Sequence, residues 1–348
     1  MRQTFDGEHQ GAGLSAVSAG TDRDWRARAP LALPLGGLVL ALGVGWSLIG
    51  ARLFAAITLS AVLPQASIIS ILALGEMMVL LVGGLDLSLG AIAILSAVVM
   101  AQLSGEYGMA SALALGAGIS VGAACGFLNG AASGFLRLPS VVVTLASFIV
   151  FDALTFIYPR ESAGETVSVE AKAPLLSSIG RTFGLGEAVF SYAVVVAVLV
   201  ALFLAYALNL TAWGKHLTAV GEDGEAARLA GLSPALLRLG AFVAAGVLAA
   251  LAAWAIVGRL ERVVTTSSLD IMLPALAAAL VGGATPSAGR PSVLGVLIAA
   301  VSVTFLVVSL RIGDVEPHLA RLVLAVVILL MVVLDASLRR EWKRERQP

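Results

Sequence analysis

Charge is what this chain lacks most. Of its 348 residues only 13% are Asp, Glu, Lys or Arg, against roughly 25% in a soluble domain. With 59% hydrophobic residues and a mean hydropathy of +0.98, an ordinary water-soluble globule is excluded. Lysine is scarcer still. Lys172, Lys215 and Lys343 are the only three, and none stands in a Gly-x-x-x-x-Gly-Lys-Ser/Thr spacing. The chain therefore has no phosphate-binding loop of the nucleotide-hydrolysing kind, in which that lysine must reach the terminal phosphates. The single cysteine, Cys125, excludes an intramolecular disulfide and reads as a small packing residue in a Gly/Ala-rich run. His9, His216 and His318 are far apart and show no metal-ligand spacing. No cluster of His, Cys or paired acids marks a catalytic centre, so no catalytic residue and no metal ligand is assigned. A formal net charge of zero gives no global attraction to nucleic acid.

What is present is a succession of long apolar runs separated by short polar ones. The runs do not alternate residue by residue, which excludes a β-barrel. All but the run at 271–281 approach the roughly 20 residues that a spanning helix needs. They fall at 31–49, 57–82, 87–103, 110–135, 141–158, 188–210, 236–257, 271–281, 293–310 and 319–334. The expected fold class is all-α: a polytopic membrane helical bundle of about ten transmembrane helices in contact with lipid, some broken or re-entrant. The run at 271–283 is short enough to be either a full crossing or a re-entrant segment. Thirty-seven glycines suit the close helix packing of membrane bundles.

Residues 1–29 are polar, carry Arg23, Arg26 and Arg28, and read as a flexible cytoplasmic tail rather than a cleaved signal. Residues 30–336 form the membrane domain and 337–348 a basic C-terminal tail with Arg339, Arg340, Lys343, Arg344 and Arg346. Basic residues mark the cytoplasmic side, and an even number of crossings puts both termini there. The segment 211–234 then falls inside and the acidic 159–187 loop outside.

The interruption at Gly83-Gly84-Leu85-Asp86-Leu87-Ser88-Leu89-Gly90 is the most informative. Lipid offers loose backbone no hydrogen bonds, so a break at this depth must be buried in protein or line a watery path. An acid there marks a functional site by default. Gly83, Gly84 and Gly90 permit the turn and close backbone approach. Asp86 is expected to cap the next helix, with Ser88 in its first turn, or to touch a transported solute. Glu76, about two turns before Gly83, is expected to face the interior. Asn129 or Gln65 are its possible partners, and it either lines the pathway or makes a protonated structural hydrogen bond. The Leu-Val-Gly-Gly of 81–84 recurs at 280–283, which suggests two related halves or a chance match; Gly282 and Gly283 join the candidate gate residues on that basis.

The second signal is Gly221-Glu222-Asp223-Gly224-Glu225-Ala226-Ala227-Arg228-Leu229-Ala230-Gly231. It predicts a short helix with acids in its first turn, Arg228 following, and Gly231 as its C-terminal stop. An ordinary loop helix would look the same.

Three stretches together make the chain resemble the permease subunits of bacterial ABC importers of the ribose/xylose/galactose class, in the broad group that includes branched-chain amino-acid permeases. Residues 83–90 are similar to the sugar-permease pattern Gly-Gly-Ile-Asp-Leu-Ser-Val-Gly. Residues 219–231 resemble the ATPase-docking loop, with its Glu-Ala-Ala-x-x-x-Gly. Residues 280–292 resemble the late Gly-Gly-Thr-Ser segment, although Pro286, Arg290 and Pro291 depart from it, as Glu76 and Asp152 depart elsewhere. The resemblance implies a translocation subunit in the bacterial inner membrane, not itself an enzyme, used as two copies or with a paralogue. A periplasmic solute-binding protein would deliver a monosaccharide or similar polar solute. A cytoplasmic ABC ATPase, carrying the ATP and Mg, would grip Gly221, Glu222, Glu225, Ala226, Ala227 and Gly231. The pathway or gate would comprise Glu76, Gly83, Gly84, Asp86, Ser88, Gly90, Gly282 and Gly283. The alternative is a secondary transporter coupled to an ion gradient through Glu76, Asp86 and Asp152.

Overall fold

The computed structural model describes residues 21–158, 173–185, 188–260, 268–283, 292–316, 318–327, 329, 330 and 333. The chain runs α1 (Thr21–Ile49), a 3-10 turn (Gly50–Phe54), α2 (Ala56–Leu81), α3 (Leu89–Gly105), α4 (Ser111–Gly134), α5 (Ser140–Ile157) and α6 (Pro174–Ser178). A hairpin of β1 (Thr182–Leu185) and β2 (Ala188–Ser191) follows. After it come α7 (Tyr192–Leu210), α8 (Ala212–Glu222), α9 (Gly224–Leu229), α10 (Pro234–Leu260), α11 (Ser268–Val281) and α12 (Val293–Ile312). The last described helix, α13, is His318–Val327. Among the described residues seven helices are long and apolar enough to cross a membrane, and α3, α11 and α13 are shorter apolar ones. These occupy the ten apolar runs of the sequence, so the chain is an all-α multi-pass membrane protein. At 14 residues, α11 rises about 21 Å, less than the roughly 30 Å hydrocarbon core, so its helix alone does not traverse it.

The bundle is built around α2, α10 and α12. The spanning window of α12 is 72% buried and that of α5 only 17%. From Ala66 to Leu81 every residue of α2 is buried, because it is apolar all round and meets neighbours on every side. The tightest seam joins α4 to α10. Gly122, Gly126, Gly130 and Gly134 recur every fourth residue and so share one face. A Cβ on Gly122 would strike the carbonyl oxygen of Gly246, and one on Gly126 that of Phe242. At Gly130 it would sit 2.9 Å from Leu239 Cα, and at Gly134 2.8 Å from the Ala235 carbonyl oxygen. The two backbones are in contact, which is how helices associate where lipid supplies no hydrophobic drive.

Two sequence expectations are corrected. The helix of the first span opens at Thr21, inside the stretch expected to be a flexible tail. Ala188–Ser191, expected to begin the sixth helix, is instead a strand paired with Thr182–Leu185. Phe183 stacks on Phe190 with ring centroids 5.8 Å apart, and such cross-strand aromatic pairs stabilise a hairpin. Residues 1–20, most of the acidic loop (159–172), the late segment 284–291 with Pro286, Arg290 and Pro291, and the basic tail lie outside the described residues.

Candidate functional site

Every backbone N–H across the break between α2 and α3 has a hydrogen-bond partner. Gly83 has φ +74°, a left-handed conformation that glycine enters without penalty. It ends α2 in a Schellman motif: Gly83 N–H donates to the Leu80 carbonyl and Gly84 N–H to that of Val79, both at 3.0 Å. The next four N–H groups turn to side chains. Leu85 donates to Ser140 Oγ at 3.1 Å, Asp86 to Glu76 Oε1 at 3.1 Å, and Leu87 to Thr144 Oγ1 at 3.1 Å. Ser88 donates to Asp86 Oδ1 at 2.8 Å. Thr144 Oγ1 also donates to the Leu85 carbonyl at 3.2 Å. No N–H from Val82 to Ser88 is left bare, the condition for irregular backbone at membrane depth.

Glu76 and Asp86 therefore serve the turn that separates them. Both are buried, at 2% and 1% exposure. Glu76 accepts the Asp86 N–H instead of bonding Asn129 or Gln65, because the break folds back over the last turns of α2. Asn129 Nδ2 donates to Ser88 Oγ at 2.8 Å, while Gln65 pairs with Arg259. The expected cap is also revised. Asp86 Oδ1 accepts the N–H and the hydroxyl of Ser88, the latter at 2.6 Å, whereas Ser88 is the N-cap residue of α3 and makes no side-chain cap bond. Asp86 shapes the turn one step before the helix. Its Oδ2 is buried and hydrogen-bonds to none of the described residues.

The other candidate gate residues lie on neighbouring elements. Gly90, in the first turn of α3, is pressed against α11, where a Cβ would come within 2.7 Å of Met272 Cβ. Gly282 and Gly283 end α11, with Gly283 at φ +93° and donating to the Leu280 carbonyl at 3.1 Å. The repeated tetrapeptide thus ends a helix twice, one residue out of step: the left-handed glycine is the first of the pair at 83 and the second at 283. Asp152, in α5, accepts a hydrogen bond from Ser268 of α11 and does not join Glu76 or Asp86 in the break's hydrogen-bond set.

The second site is α8 with α9. Asp223 caps α9, its Oδ1 accepting from the N–H of Glu225 at 2.9 Å and of Ala226 at 3.0 Å. The far end closes on Gly231, φ +86°, through Gly231 N–H to the Arg228 carbonyl and Leu232 N–H to that of Ala227, both 3.0 Å. Ala227 is buried, whereas Glu222, Glu225 and Ala226 are exposed. Glu225 pairs with Arg228 at 3.0 Å on the open surface. Gly221, at the end of α8, lies against Leu81 at the end of α2, so the structure brings the two candidate sites together.

Sequence reasoning missed Ser140 and Thr144, the acceptors on α5. Their signal is a pair of hydroxyls four residues apart at the start of an apolar helix, which places both on one face. Among the described residues there is no group of three or more His, Cys, Asp or Glu that could hold a metal ion.

Comparison with known proteins agrees over most of the chain. Residues 58–332 match the family model for the permease component of the branched-chain amino acid transport system. The chain is 37% identical over 314 residues to a fructose import permease protein of Rhizobium meliloti, covering 89% of this chain and 86% of that protein. It is 31% identical over 278 residues to a ribose import permease protein of Escherichia coli K12, covering 79% and 84%. An autoinducer 2 import system permease protein of Shigella flexneri is 27% identical over 296 residues, covering 83% of each. No solved structure matches the chain. These relatives do not favour the ion-coupled alternative. With ten apolar helices among its described residues, its hydrogen-bonded break and a match over residues 58–332, the chain belongs to the family of transport-system permease components and is the permease subunit of an ABC importer.

Proposed function

We propose that this chain forms part of the translocation pathway for a monosaccharide or a similar polar solute, paired with a second copy or a paralogue in a bacterial inner membrane. A periplasmic binding protein hands solute to the outer mouth, and a cytoplasmic ATPase, holding the ATP and Mg itself, grips α9. Both termini lie in the cytoplasm, in keeping with the basic residues at 339–346. The carrying observation is α9 itself. It is closed at both ends by Asp223 and Gly231, yet it leaves Leu229 81% exposed beside Glu225 and Arg228. A helix already ordered before binding costs a partner little further entropy, and an uncovered leucine gives that partner an apolar anchor. The fructose and ribose named for two relatives support a sugar-like cargo.

Reconstitution tests the reading. The chain is placed in vesicles with its ATPase and binding protein, and uptake of labelled D-fructose and D-ribose is followed. Uptake should require ATP and the binding protein and survive a protonophore. Uptake by the chain alone that collapses with the protonophore would overturn the proposal in favour of ion coupling.

A further inference from the structure

The contact between α8 and α2 joins the candidate docking segment to the break, and its chemistry is specific. Gly214, Leu217 and Val220 of α8 are buried; spaced three residues apart, they seat one face of the helix on the bundle. The last turn then reaches Gly221. A Cβ there would run into the carbonyl oxygen of Leu81 and lie 3.6 Å from Val82 Cα. Leu81 is the last residue of α2 and Val82 its cap. No side chain stands between the two main chains, so no rotamer change can absorb a displacement.

Both ends of this contact are tied. On one side Asp223 is the only residue between α8 and α9. Its N–H closes α8 on the Ala219 carbonyl at 3.1 Å, while its carboxylate caps α9. The two short helices share that residue and move with it. On the other side, the break has no slack, since each N–H from Val82 to Ser88 is committed to a partner on α2, α5 or the turn itself. A shift at Leu81 must be passed to Gly83 and Gly84 and from there to the Asp86 turn.

Resting on the reading of α8 and α9 as the ATPase-coupling segment, we propose that Gly221 is the positioning residue through which movement of α9 is passed to the end of α2 and so to the break at Gly83–Ser88. The coupling runs through a packed, hydrogen-bonded path that is contiguous from α9 to Asp86.

The test uses the chain assembled with its ATPase, comparing wild type, Gly221→Ala and Gly116→Ala. The last adds the same methyl group where nothing lies within 4 Å. With Gly221→Ala the D-fructose or D-ribose taken up per ATP hydrolysed should fall roughly tenfold, the scale of a typical coupling free energy. An unchanged ratio overturns the proposal, and so does loss of ATPase binding together with uptake. A second measurement needs neither variant nor cargo. Hydrogen exchange at amides 79–88 of the wild-type complex is compared without nucleotide and with ATP under blocked hydrolysis. A change there is expected; unaltered exchange with the ATPase bound overturns the role of Gly221 alone. An ATPase whose binding survives the combined changes Glu225→Ala and Leu229→Ala overturns the docking reading instead.

Discussion

The ends of α2 and α9 are closed by the same pair of hydrogen bonds and lead opposite lives. Each has a left-handed glycine, Gly83 or Gly231, and each returns two N–H groups to the last turn at 3.0 Å. At α9 the chain then runs on over an exposed surface, where water satisfies whatever the cap leaves open. At α2 the chain beyond Gly83 is buried or half-buried. Ser140, Thr144, Glu76 and Asp86 must stand in for water there. One motif therefore ends an exposed helix in one place and opens a hydrogen-bonded break in the other. Burial decides which, because an unpaired amide is cheap in water and expensive away from it.

The strongest way to break this comparison is to remove the substitutes for water. Ser140→Ala with Thr144→Val removes the acceptors of the half-buried N–H groups of Leu85 and Leu87. Each such loss is worth about 1–3 kcal/mol, so the double variant should lose roughly 2–6 kcal/mol of stability on thermal unfolding in detergent. A double variant as stable as the wild type would show that water reaches the break. The next test sharpens the likeness of the two caps. A Cβ at Gly83 or at Gly231 meets nothing within 4 Å, so Gly83→Ala and Gly231→Ala should each lose about 1–2 kcal/mol by conformation alone. Costs that differ severalfold in the same unfolding assay would mean that the caps are not equivalent. The smallest effect belongs to the exposed pair on α9. Arg228→Ala removes a contact whose side chains are 59% and 78% exposed, and it should change stability by about 0.2–1 kcal/mol. That difference should vanish in high salt, whereas the cost at Ser140 and Thr144 should not.

Much of this was readable in the residues. The apolar runs located the spans, because a helix in lipid satisfies its own backbone and needs only length and hydrophobicity. The Gly231 stop was equally local, since a cap is a matter of a few consecutive residues; the Asp223 cap at the other end emerged from the structure. What escaped was contact between elements distant in the chain. Glu76 looked like a partner for Asn129 or Gln65, and nothing local says that the break returns over it to present the Asp86 N–H. The hairpin at 182–191 was hidden for another reason: Ala188–Ser191 is an apolar run continuous with α7, so hydrophobicity alone merges the two. The fourfold spacing of the α4 glycines acquires its meaning only from α10, once the two helices are side by side.

By itself the sequence determined that this chain is a multi-pass helical membrane protein, with an interruption at Gly83–Gly90 and a short helix stopped at Gly231, and its motifs resembled those of a transport-system family. The spans, the interruption and the stop follow from composition, period and short-range chemistry; the family rests on the motif resemblance. Only the tertiary structure decided that every N–H of the break is paired, that its acids serve the backbone, and that Gly221 touches the end of α2. Those facts rest on hydrogen bonds and packing between residues 10 to 140 positions apart in the chain. They exist only once α2, α4, α5 and α8 have come together.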